Sequence, residues 1–88
     1  MKVLKFGAIW CSGCLVMKPR WEKIERENPW LQTEYFDVDE NKDLVEKYEL
    51  QKFPAFVFLD KTGETLQKIS GEFPEKYLLD IINKYKDK

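Results

Sequence analysis

The sequence predicts an α/β fold of order β-α-β-α-β-β-α, a four-stranded mixed sheet flanked by three helices. Three observations predict it. Short runs rich in β-branched and aromatic residues, at 2–9, 33–38, 55–59 and 65–70, have the length and composition of strands. Longer stretches between and after them carry apolar residues at spacings of three and four, the period of a helix with one buried face. A turn sequence, "DKTGE" at 60–64, joins the last two strand-like runs directly. With 88 residues, about two-fifths of them apolar, one domain over 1–88 is expected.

Taken in order, "KVLKFGAI" at 2–9 reads as a buried strand. From about Ser12 to Asn28 the pattern turns helical, with Met17, Trp21 and Ile24 on one face. Pro19 falls inside this helix and predicts a kink, and "ENPW" at 27–30 ends it. "TEYFDV" at 33–38 is a second strand. "DENKDLVEKYEL" follows as a short helix with Leu44, Val45 and Tyr48 inward, and Asp39 or Asn41 as candidate caps. "AFVFL" at 55–59 is a continuous apolar run, as expected of a central strand. Gly63 supplies a positive φ in the next turn, and "TLQKIS" returns as a polar antiparallel edge strand. "PEKYLLDIINKYK" closes the chain as an amphipathic helix, with Leu78, Ile81, Ile82 and Tyr85 inward. The first two strands, joined through a helix, should be parallel with a right-handed crossover, and the last two a hairpin.

Composition excludes several classes. Net charge is −1 with both signs interspersed, so no basic stripe follows a phosphate backbone and no nucleic-acid partner is expected. No apolar run approaches the roughly 20 residues of a membrane span. The N-terminal residues run straight into a cysteine pair rather than into a cleavage site, so a cytoplasmic protein is expected, and there a permanent structural disulfide is disfavoured.

The chemistry lies in "WCSGC" at 10–14. Cys11 and Cys14 are the only cysteines and there is no histidine. The predicted strand-to-helix junction puts Cys11 at a helix N-terminus, where unpaired N–H groups and the helix dipole favour an anion. A thiolate there should have a lowered pKa and be reactive near neutral pH. Cys14, one turn on, is within reach of a short disulfide loop. The pair could then attack a partner's disulfide through Cys11 and release the product through Cys14. Two alternatives stay open. A structural zinc site wants four Cys or His ligands, and this chain offers two, so a metal would need carboxylates or a second subunit. Two inert buried cysteines are also allowed, although a helix-start position beside Ser12 and Gly13 argues that Cys11 is exposed. The acidic "DVDENKD" at 37–43 lacks the glycine and closing glutamate of a calcium loop and reads as a solvated helix cap.

"WCSGC" after a buried strand, Pro19 five residues beyond the second cysteine, and "KFPAFVFLDKTGE" at 52–64 together resemble the thioredoxin family. The likeness covers nearly the whole chain. An ordinary thioredoxin has a further strand and helix before the first strand, so this chain resembles a minimal member of glutaredoxin-like size. The resemblance implies a thioredoxin-like fold and a thiol–disulfide oxidoreductase with Cys11 as nucleophile and Cys14 as resolving thiol. It implies no bound cofactor beyond the redox-active Cys11–Cys14 disulfide. Pro54 matches the family's cis-proline opposite the cysteines, although a plain strand-start proline satisfies the local sequence equally. Phe53 would offer its backbone to an extended substrate, Trp10 would shape the docking surface, and Gly71 matches a glycine that lets a partner approach, its alternative being a turn glycine. Implied partners are disulfide-containing proteins and a thioredoxin-reductase-like flavoenzyme as electron donor; a monomer is expected. Competing readings are a glutathione-dependent, glutaredoxin-like reductase and a non-catalytic module that binds a metal or a partner.

Three positions depart from the family pattern. Lys5 stands where a buried aspartate is usual, and a buried lysine needs a partner or must reach outward. Ser12–Gly13 replaces Gly-Pro between the cysteines, which frees one backbone N–H. Phe53 is bulkier than the usual β-branched residue before the proline.

Overall fold

The computed structural model describes all of residues 1–88. The elements are β1 (Lys2–Gly7), α1 (Ser12–Glu27), β2 (Gln32–Asp37), α2 (Lys42–Lys47), β3 (Ala55–Leu59), β4 (Thr65–Ser70) and α3 (Glu75–Tyr85). They form one four-stranded sheet of order β2-β1-β3-β4. β1 and β2 are parallel, from Lys2↔Gln32 to Gly7↔Asp37; β1–β3 and β3–β4 are antiparallel. The element order, the mixed sheet and the edge position of β4 are as the sequence predicts.

Strand alternation distributes the apolar residues over two faces. Val3, Phe56 and Phe58 join Met17, Trp21 and Ile24 of α1 and Leu78, Ile81 and Ile82 of α3 in one core. Leu4, Phe6, Ala55, Val57 and Leu59 form the opposite core, against which Leu44, Val45 and Tyr48 pack. All five residues of β3 are buried, which is why its sequence shows no polar alternation. Trp21 is the largest fully buried side chain and lies against Phe56 and Phe58, with ring centroids 5.3 and 6.4 Å away. Tyr85, predicted inward, is only partly buried at the end of α3. α1 runs unbroken through Pro19.

Three expectations need correction. β1 stops at Gly7, two residues short of the predicted end, because its pairing with β2 ends there and the chain turns at Ile9–Trp10; Ile9 is 94 % exposed. α2 is shorter than predicted. The Asp37 carboxylate accepts the Asp39 N–H at 2.8 Å, which holds residues 37–41 in a turn, and Glu49 at φ +55 ends the segment beyond the helix. Asn41 stands at the N-cap of α2 but makes no capping bond: its amide donates backward to the Asp37 carbonyl at 2.9 Å.

Candidate active site

Strand directions bring four chain segments to one end of the sheet. β1 ends there at Gly7, opposite Asp37 of β2 and beside the start of β3 at Ala55, and β4 ends there opposite Ala55 at Ser70. The cysteine loop, the Asp37–Asn41 turn, the Phe53–Pro54 segment and Gly71 therefore converge by topology, although they are remote in sequence.

Cys11 is the N-cap of α1, with extended backbone at φ −95°, ψ 108°. Its Sγ accepts the Cys14 N–H at 3.2 Å, the place a capping oxygen would take. One orphan donor of the helix start is thus aimed at sulfur, and no acidic residue lies in the first turn of α1. Cys11 and Cys14 are bonded as a disulfide with Cα atoms 5.4 Å apart. Contrary to the sequence expectation, Cys11 is buried, 6 % exposed, within the core that includes Ala8 and Val38, and its N–H bonds to the Ala8 carbonyl. Cys14 is half-buried and Ser12 exposed.

Gly13 is required by packing. A Cβ on it would meet Pro54 Cδ at 2.9 Å and Glu72 Cγ and Oε2 at 3.4 Å. The helix start thus lies directly against Pro54, and the Phe53–Pro54 peptide is cis. The Pro54 carbonyl accepts the Gly71 N–H at 2.8 Å, which ties the end of β4 to the same segment. Gly71 has φ +112°, a conformation that favours glycine, and open space where its Cβ would stand. Neither the N–H nor the C=O of Phe53 bonds to other backbone.

Trp10 is exposed, not packed in a core. Its indole N–H donates to Asp39 Oδ2 at 2.9 Å, and its ring meets Phe53 edge-on at 6.3 Å between centroids. Ile9 and Leu15 extend this apolar exposure. Lys5 is neither exposed nor alone. It pairs with Glu25 of α1 and lies 5.9 Å from the Trp21 ring centroid. The lysine is thereby tolerated at a position facing α1.

Sequence reasoning missed Glu72, Asp39 as the holder of Trp10, and Tyr35. The Tyr35 hydroxyl pKa is raised, first by burial and then by the Asp37 carboxylate. Glu25 carried a readable signal: it stands four residues after Trp21 and beside Ile24, so a charge borders the face of α1 that must meet the sheet.

Comparison with known proteins agrees with this geometry. The Thioredoxin family model matches residues 1–84. A Thioredoxin H-type protein of Fagopyrum esculentum is 33 % identical over 79 residues, covering 90 % of this chain and 67 % of its own. Thioredoxin H5 of Oryza sativa subsp. japonica is 36 % identical over 69 residues, 78 % of this chain; the chain spans only 50 % of its length. The crystal structure of Fasciola hepatica thioredoxin superposes with a TM-score of 0.87 at 32 % identity, over 96 % of this chain and 79 % of that one. A strand-to-helix cysteine pair backed by a cis-proline, on a sheet that matches these relatives along nearly all its length, places the chain in the thioredoxin family.

Proposed function

We propose that this chain reduces disulfides in proteins through a Cys11–Cys14 dithiol/disulfide cycle. The observation that carries the reading is the Cys14 N–H aimed at Cys11 Sγ, with Cys14 itself in bonding reach. In the reduced protein the Cys11 thiolate attacks one sulfur of a substrate disulfide. The other substrate sulfur leaves as a thiolate and takes a proton from water. Cys14, having lost its proton, then attacks Cys11 Sγ; the Cys11–substrate bond breaks, the second substrate thiol is released, and the Cys11–Cys14 bond forms. Two electrons pass from the dithiol to the substrate.

Docking uses the rest of the rim. The unpaired backbone of Phe53 supports addition of an extended substrate segment as a short strand. Trp10, Phe53 and Ile9 supply apolar contact beside it, and Gly71 leaves space for the approach. Electrons return to the pair from a thioredoxin-reductase-like flavoenzyme. The chain acts as a monomer in the cytoplasm, where such a donor keeps the pair as a dithiol.

Insulin reduction with dithiothreitol as donor, followed by turbidity, tests the reading. The wild type should accelerate precipitation, and Cys11→Ser should return it to the rate without protein. Equal rates for the two would overturn the proposal.

A further inference from the structure

Cys11 has a hydrogen-bond donor waiting for its sulfur. Cys14 has none from the backbone, because its own N–H is turned to Cys11. Cys14 is half-buried and lines a cleft of about 410 Å³ between α1 and the sheet. A sulfur in such a place becomes a thiolate with difficulty, since burial penalises the charged form. Yet Cys14 must be a thiolate to resolve the mixed disulfide.

The sheet register supplies a group at this point. Val3, Lys5 and Gly7 of β1 lie on the face toward α1, and Lys5 is paired with Tyr35 of β2. Gly7 has no side chain, and two groups crowd the space a Cβ would occupy. Cys14 Sγ lies 2.8 Å from that point, Tyr35 Oη 3.1 Å and Tyr35 Cε1 3.2 Å. The phenol therefore leans across Gly7 toward the second cysteine. Tyr35 is more than half exposed, and it lines the same cleft as Cys14.

We infer that in the reduced protein the Tyr35 hydroxyl donates a hydrogen bond, directly or through one water, to the Cys14 thiolate, and so helps set the pH at which Cys14 becomes nucleophilic. No proton leaves Tyr35; the Cys14 proton goes to water. A phenol is a donor throughout the neutral range, and burial raises its pKa further. The cleft, about 410 Å³ and lined mostly by apolar side chains, has room for a water between the Tyr35 hydroxyl and Cys14 Sγ, the two polar atoms that crowd the space beside Gly7. The other charged groups lining the cleft are Lys18 and Glu22 of α1 and Lys5 of β1. Glu25 neutralises Lys5, Asp37 stands beside Tyr35, and β3 brings no titratable side chain. Cys11 is the remaining neighbour. The inference deepens the disulfide-reductase reading, on which its role in turnover rests.

The test reads each thiol alone. In a Cys11→Ser background, the rate of iodoacetamide alkylation of Cys14 is measured across pH with Tyr35 and with Tyr35→Phe, which removes only the oxygen. The midpoint should rise by about 0.5–1 unit, a three- to tenfold slower reaction at neutral pH. In a Cys14→Ser background the Cys11 midpoint should stay where it was. An unmoved Cys14 midpoint, or equal shifts at both cysteines, would overturn the inference. Insulin reduction by the otherwise wild-type chain separates the two claims. An active protein with an unmoved Cys14 midpoint loses the Tyr35 contact and keeps the reductase reading. An inactive protein with a shifted midpoint keeps the contact and loses the reading.

Discussion

The two ends of the sheet are built in opposite ways. At the hairpin end, between β3 and β4, polar groups are satisfied locally. The Asp60 carboxylate accepts the Thr62 hydroxyl at 2.6 Å, the Thr62 N–H at 2.8 Å and the Glu64 N–H at 3.0 Å, while Gly63 takes φ +92°. At the other end, the Phe53 backbone is unpaired, Ile9, Trp10 and Leu15 are exposed, and a helix-start amide is directed at sulfur. One end closes the fold. The other leaves donors, acceptors and apolar surface uncommitted, at some cost to stability, and those are what a partner can use.

The contrast can be broken most strongly at the cysteines. Cys14→Ser should stop insulin reduction and leave stable covalent adducts on Cys11 in cell extract, because attack can begin but not finish; non-reducing electrophoresis reads the adducts. The next effect separates two glycines. Gly13→Ala gains about 1 kcal/mol of helix propensity but presses on the Pro54 ring, an overpacking cost of about 1–3 kcal/mol. The net loss of stability should be about 0–2 kcal/mol, while turnover falls about tenfold as the helix start moves off Pro54. Gly63→Ala meets no neighbour but takes a left-handed φ, costing about 1–2 kcal/mol, read as a melting temperature lower by several degrees with turnover intact. If both variants lose activity equally, the two ends are not functionally distinct.

Smaller effects should follow charge. Glu72, close to Gly13, places a carboxylate near the helix start, so Glu72→Gln should lower the Cys11 alkylation midpoint by a fraction of a unit. Asp60, at the hairpin end, has its pKa lowered by the Thr62 hydroxyl first and by backbone N–H groups. A depressed carboxylate stabilises above its unfolded pKa and loses that contribution as pH falls through the folded value. The melting-temperature advantage of wild type over Asp60→Asn should therefore be present at neutral pH and disappear in strong acid, while turnover at neutral pH is the same for both proteins.

Much of this was legible in the sequence, for reasons that differ by element. β3 and β4 were readable to the residue because a turn with a required glycine separates an all-apolar run from a polar one. Met17, Trp21 and Ile24 were readable from helical period. The end of β1 was not, because Ala8 and Ile9 continue the apolar run while the pairing that defines a strand comes from β2, thirty residues away. Burial of Cys11 was missed for a related reason. Its cover comes from a core that residues as distant as Val38 and Leu50 help to build. The partner that Lys5 needs could not be named, because Glu25 meets it only after α1 folds onto the sheet. The Gly7–Tyr35–Cys14 cluster joins three elements, and no local pattern marks it.

The most direct measurement is the pH dependence of Cys11 alkylation in reduced Cys14→Ser protein, which keeps the residue-14 N–H. An amide-held thiolate requires a midpoint well below the roughly 8.5 of a free cysteine, in the range of about 7.5 or lower. A midpoint at or above 8.5 would mean that the helix start does not stabilise the sulfur, and the proposed cycle would lack its nucleophile.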